Sequence, residues 1–168
     1  MKRLSVLATL GLLVAGCGSS TTPSAVNPIF KTTLLPANEV PAVTGAEASG
    51  SGTVTITFNT TKDANGNISS ATSDFVVNLT GYPASTSVIA AHIHSAAAGS
   101  AGGIVVPTGL NAGEVVLANG SGSFTKSGAA VSASLAQAII DNPASYYFNV
   151  HSVENKGGFS RGQLNRIQ

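Results

Sequence analysis

The chain's only histidines are His92, His94 and His151. The first two form His-Ile-His in an apolar stretch that reads as a β-strand. A strand repeats every two residues, so both imidazoles face the same way, with Cβ atoms roughly 6.5–7 Å apart. Two rings at that spacing can converge on one ion. His151 ends a second alternating stretch, in which Tyr147, Asn149 and His151 share a face. If the two strands are neighbours, three imidazoles meet. Three neutral ring nitrogens suit copper or zinc. Zinc usually takes a fourth ligand, and no Asp, Glu or Cys flanks His-Ile-His. Copper accepts three imidazoles alone, which weighs toward copper. The competing structural reading is three histidines hydrogen-bonded within the mouth of a barrel.

The elements that must position these rings are mostly strands. Thr53–Phe58 alternates strictly, with Val54, Ile56 and Phe58 on one face. Asp63–Asn67 is a turn by its Asn-Gly chemistry. Its alternating Asp63, Asn65 and Asn67 lack the spacing and distal glutamate of a calcium loop. Asp74–Thr80 alternates again, with Phe75, Val77 and Leu79 together. Val88–His94 carries the first two histidines, and Ile93 is expected to point into apolar packing with Ile89 and Ala91. A loop over 95–103, a short strand at Ile104–Val106, and candidate strands at 114–117 and 122–125 follow. Residues 132–141 read as one short helix with a serine N-cap and an Asn142-Pro143 stop. Tyr146–His151 and Phe159–Leu164 close the chain as strands. Tyr146, Tyr147 and Phe148 are assigned mainly to the core, with one or two lining the site. Many short strands with one helix predict an all-β fold: a Greek-key sandwich or barrel, immunoglobulin-like or superoxide-dismutase-like.

The N-terminus reads as a lipoprotein signal over residues 1–16. Lys2 and Arg3 are its basic start, and Leu4–Val14 is an apolar run too short to span a bilayer. Val14-Ala15-Gly16-Cys17 resembles a lipobox, which makes Cys17 the acylated first residue of the mature protein. Residues 17–28 form a small, polar tether, roughly 18 Å long as a flexible coil. Residues 29–168 form the expected domain. Cys17 is the sole cysteine, so no disulfide can form within the chain. Gly18 after it lacks the aspartate that retains lipoproteins at an inner membrane, so the outer membrane is expected where a cell has two.

Composition agrees with export. Charged residues make up only 9% of the 168, and hydroxyls and amides replace them. Once Lys2 and Arg3 leave with the signal, six basic residues face seven acidic ones. No basic patch remains for nucleic acid. No Gly-x-Ser-x-Gly elbow or catalytic triad is evident. Glu39, in Asn-Glu-Val-Pro, could bind metal or cap a turn, and the structural role is preferred.

Five ordered stretches resemble the CHRD (chordin) domain family: Leu35–Pro41, Gly50–Thr53, Ala91–Ala96 with Gly99–Val106, Tyr147–Ser152 and Gly158–Leu164. The similarity spans about residues 30–166. Two positions depart from the family's pattern: Ser95 replaces a glycine, and Phe159 replaces an acidic residue. The resemblance implies an extracellular β-sandwich, found in animals in a secreted antagonist of growth-factor signalling and in microbes as a single domain. The histidine order is also loosely similar to copper-zinc superoxide dismutase. That similarity implies His92, His94 and His151 as copper ligands and Arg161 as a group that supports them or guides an anion to them, although a surface ion pair or a backbone-binding role between strands is preferred for Arg161. The bridging histidine, the zinc ligands and the disulfide of that enzyme have no counterpart here. Three functions follow: an envelope metal-binding protein, an extracytoplasmic protein-interaction or adhesion module, or a copper-only dismutase. The missing fourth histidine weighs against a full dismutase.

Overall fold

The computed structural model describes residues 27–168. The signal, Cys17 and most of the tether lie outside the described residues. Nine strands and one helix follow in order: β1 (Ile29–Leu34), β2 (Ser51–Lys62), β3 (Ile68–Thr80), β4 (Thr86–Ser95), β5 (Gly103–Pro107), β6 (Val115–Leu117), β7 (Gly122–Val131), α1 (Ala133–Asp141), β8 (Tyr146–Ser152) and β9 (Ser160–Gln163). They form two antiparallel sheets. The first runs β1-β2-β3-β7. The second runs β5-β4-β8-β9, with β6 pairing the start of β4.

Local chemistry sets these elements. The β2–β3 hairpin turns where Asp63 Oδ1 accepts hydrogen bonds from the amides of Asn65 and Asn67, each at 2.9 Å. Both flanking strands place small β-branched and aromatic side chains on the inner face: Val54, Ile56 and Phe58, then Phe75, Val77 and Leu79, all buried. The inner face of the second sheet answers with Val88, Ala91, Ile93, Phe148 and Val150. Phe75 and Phe148 stack across the gap at 5.7 Å. The helix begins where Ser132 Oγ accepts from the Leu135 amide, and it buries Ala136 and Ile139.

The chain crosses between sheets after β3, returns after β6 to place β7 beside β3, and crosses again through α1 to place β8 beside β4. This is Greek-key connectivity, and the all-β sandwich with one short helix is the observed architecture. The backbones of Leu35 and Arg161 exchange hydrogen bonds, which stitches the β1 and β9 edges together.

One expectation is corrected. Ile89 does not share the inner face with Ala91 and Ile93. The β4–β8 register shifts between Val88 and Ala90. This bulge inserts a residue, so Val88 and Ala91 are both buried while Ile89 is only partly so. Strict alternation also undercounts β3 and β7, which extend to Ile68 and Val131 through polar and small residues.

Candidate metal centre

Because Ile93, Phe148 and Val150 face inward, His92, His94, Tyr147, Asn149 and His151 stand on the outer face of the second sheet. The register places His92 opposite Asn149, and Asn149 opposite Arg161; His94 is opposite Tyr147. An outer sheet face would ordinarily be wet. Here His94 and His151 are buried, as are Tyr147, Asn149 and Arg161. Three segments roof this face: the stretch between β1 and β2, the β4–β5 loop, and the β8–β9 loop. Each contributes a contact described below. The site lies beneath loops on one sheet, not in a barrel mouth.

The three histidines come together. His92, His94 and His151 each offer one ring nitrogen, and these atoms lie within 4.8 Å of one another. His94 Nδ1 is 2.9 Å from the Gly102 carbonyl, and His151 Nδ1 is 3.0 Å from the Lys156 carbonyl. A carbonyl only accepts, so both Nδ1 atoms carry the proton and both Nε2 atoms keep a lone pair. His151 Nε2 lies 3.3 Å from His92 Nδ1. Two nitrogens bound tetrahedrally to one ion at 2.0–2.1 Å would be about 3.3–3.4 Å apart. His94 Nε2 is buried with no hydrogen-bond partner. A buried lone pair left unmatched carries a real cost, and a metal ion would remove it. The residues present therefore fit an ion.

The electrostatics keep the rings neutral. Burial, then the neighbouring His151 and His94, pushes the His92 pKa down to about 4. Burial lowers His94 despite the Gly102 bond, and Arg161 lowers it further. Burial also lowers His151, against the Lys156 bond that raises it. Neutral imidazole is the form that binds metal.

A layered arrangement supports the cluster. Tyr147 stacks on His94 at 4.8 Å with an 11° interplanar angle, and the Arg161 guanidinium sits 3.4 Å over the Tyr147 ring. Arg161 Nη2 donates to the carbonyls of Ala97 and Ser100, at 3.1 and 2.8 Å. The Gly102 amide donates to the Tyr147 hydroxyl. Arg161 and Tyr147 thus hold the loop whose Gly102 carbonyl orients His94. The β8–β9 loop is held likewise. Buried Glu47 accepts from Ser152 Oγ at 2.8 Å and from Asn155 Nδ2 at 2.6 Å. Those residues bracket the turn that presents Lys156 to His151.

The sequence points to His92, His94, His151 and Arg161, and leaves one or two of Tyr146, Tyr147 and Phe148 to line the site, of which Tyr147 does; nothing in it points to Glu47, which no spacing links to His151. Glu39 lies beside Asn149, with Nδ2 donating to Oε2 at 3.3 Å. Burial raises its pKa to about 7, opposed by Arg161 and by the Asn149 bond.

An outer-face histidine cluster roofed by loops, on a two-sheet antiparallel sandwich, defines a β-sandwich protein with a candidate metal centre. The CHRD domain model matches residues 30–164, so the chain belongs to the CHRD domain family. No curated protein and no solved structure matches it.

Proposed function

We propose that this chain is an envelope lipoprotein, anchored by a lipid on Cys17, whose CHRD domain binds one copper ion through His92 Nδ1, His94 Nε2 and His151 Nε2. Storing, sensing or buffering metal outside the cytoplasm is its role in this reading. The observation that carries it is the convergence of lone pairs: two rings are oriented by backbone carbonyls so that Nε2 points inward, and one of those nitrogens is buried without a partner. Three neutral nitrogens with no carboxylate or thiolate among them favour copper, with zinc second because it would need a further ligand. Arg161 acts as a brace, since its guanidinium is engaged by Tyr147 and two loop carbonyls.

The test is a Cu(II) titration against a competing chelator. His94→Ala is expected to weaken binding by at least about tenfold, as losing one of three ligands should. Equal, weak binding in wild type and variant would refute the site. Cys17→Ser is expected to move the protein from the membrane to the soluble fraction, with loss of palmitate labelling; an unchanged membrane fraction would refute the anchor.

A further inference from the structure

The three imidazole rings form a nearly equilateral triangle, with centroids 5.0, 5.6 and 5.7 Å apart. One corner is His94, whose Nε2 is buried without a partner. The point in the plane of the centroids that is equidistant from all three lies about 3.2 Å from each. An ion about 2.0 Å from a ring nitrogen stands about 3.2 Å from that ring's centroid. The triangle therefore has the size that a planar, three-coordinate ion requires. A tetrahedral ion would sit above the plane and draw the centroids to about 5.1 Å. Two of the three separations are wider than that. Cu(I) is content with three imidazoles, whereas Cu(II) prefers square-planar or tetragonal sets of four or more ligands.

Further ligands are scarce. The buried carboxylates of Glu39 and Glu47 are bonded to Asn149 and to Ser152 and Asn155, and neither belongs to the group of atoms that could meet one ion. Water has one way in, because His94 and His151 are each 7% exposed and His92 alone is half-buried. Charge points the same way as coordination number. The Gly102 and Lys156 carbonyls fix the proton of His94 and His151 on Nδ1, so the ligands are neutral. A divalent ion would keep its whole double charge beneath the roof. The cost of burying an ion rises with the square of its charge. A fixed cation adds to that cost. The Arg161 guanidinium lies 3.4 Å over Tyr147, which stacks on His94. Arg161 is 2% exposed, donates to two carbonyls, and makes no ion pair among the described residues.

We propose that the copper held by this site is Cu(I) rather than Cu(II), an inference that rests on the copper reading of the same histidines. Soft sulfur ligands are the commoner means of selecting Cu(I). They have no part here, since the chain's only cysteine and methionine, Cys17 and Met1, both precede the domain. Selection comes instead from a three-cornered neutral ligand set, a roof that restricts water, and a buried guanidinium one ring away. Zinc is divalent and wants a fourth ligand, so the same features act against it. The domain thus takes copper in its reduced, monovalent form.

The experiment is an anaerobic titration of the full-length protein with Cu(I) in competition with bathocuproine disulfonate, set beside a Cu(II) titration in competition with nitrilotriacetate. The Kd for Cu(I) is expected to lie at least about a hundredfold below that for Cu(II). His94→Ala should weaken the binding of both ions. Silver(I), monovalent and not reoxidised, should compete with Cu(I) one-to-one. X-ray absorption of the Cu(I)-loaded protein should show three nitrogen neighbours at about 2.0 Å. Cu(II) binding as tight as Cu(I), or tighter, overturns the selection and leaves the copper site standing. A fourth near neighbour on Cu(I), or silver that fails to compete, overturns it likewise. If neither copper ion binds tightly, or if His94→Ala binds both like wild type, the site and the selection fall together.

Discussion

Glu39 and Asn149 present an unresolved contact at the scale of single atoms. Glu39 Oε1 and Asn149 Oδ1 are both buried acceptors without partners. Each lies 2.7 Å from the point where a Cβ on Gly158 would stand. Gly158 is therefore required twice: its φ is +131°, and a methyl group would strike both side chains. A proton on Glu39 would let the carboxyl donate to Asn149 Oδ1, and its pKa is raised to about 7, chiefly by burial. The folded protein holds that proton more tightly than the unfolded chain, whose carboxyl titrates near 4.5. The stability Glu39 contributes is thus fully present below about pH 4.5 and is lost as pH rises through 7. Glu39→Gln supplies a permanent donor to Asn149 Oδ1. At pH 8 the variant should unfold later than wild type, by on the order of 1–2 kcal/mol in chemical denaturation. At pH 5 the two should be nearly equal. A variant that is less stable at pH 8 would show that Glu39 serves as an anion there.

At the scale of elements, legibility followed periodicity. β2 and the core of β3 carry clean alternation and were readable from the sequence, as were the His-Ile-His end of β4 and the histidine-bearing face of β8. α1 was readable for a different reason: a serine cap, helix formers and an Asn-Pro stop. Ser132→Ala should remove the hydrogen bond to the Leu135 amide and cost about 1 kcal/mol in thermal or denaturant unfolding. An unchanged midpoint would mean that burial of Ala136 and Ile139 alone fixes the helix. The bulge at Ile89 was not readable, because an inserted residue leaves no compositional mark when both neighbours are apolar. The roof over the site was not readable either. Glu47 and Asn155 are 108 residues apart in the chain, yet 2.6 Å apart in space. Such contacts depend on how loops fold back over a sheet, and neither period nor motif encodes that. Sequence alone therefore located the three histidines, and put Tyr147 on the face of His151, but not the carbonyls, the stacking or the carboxylate that fix the orientation of the rings.

For the whole molecule, the histidines link folding to protons and, in the proposed reading, to metal as well. The unfolded chain protonates its histidines near the ordinary 6.5, whereas the folded cluster resists, with His92 pushed to about 4 and His94 and His151 also lowered. Below pH 6.5 the unfolded state binds more protons, so the cluster's contribution to stability falls as pH drops from 6.5 toward 4. The same depression would protect the proposed metal binding. Three histidines of ordinary pKa would lose affinity by about thirtyfold between pH 7 and pH 6, because each must shed a proton. In this fold, with all three pKa values lowered, the loss over that interval should fall well short of thirtyfold, read by Cu(II) competition at the two pH values. Bound metal should also raise the melting temperature, since it binds only where the strands are paired. Free ion at a hundred times its Kd would add about 2.7 kcal/mol, a shift of roughly 5–10 °C for a domain of this size. A variant with all three histidines replaced by alanine should show no such shift. A thirtyfold loss of affinity by pH 6 would place the bound ion on exposed, ordinary histidines, and the loop roof would then have no part in holding it.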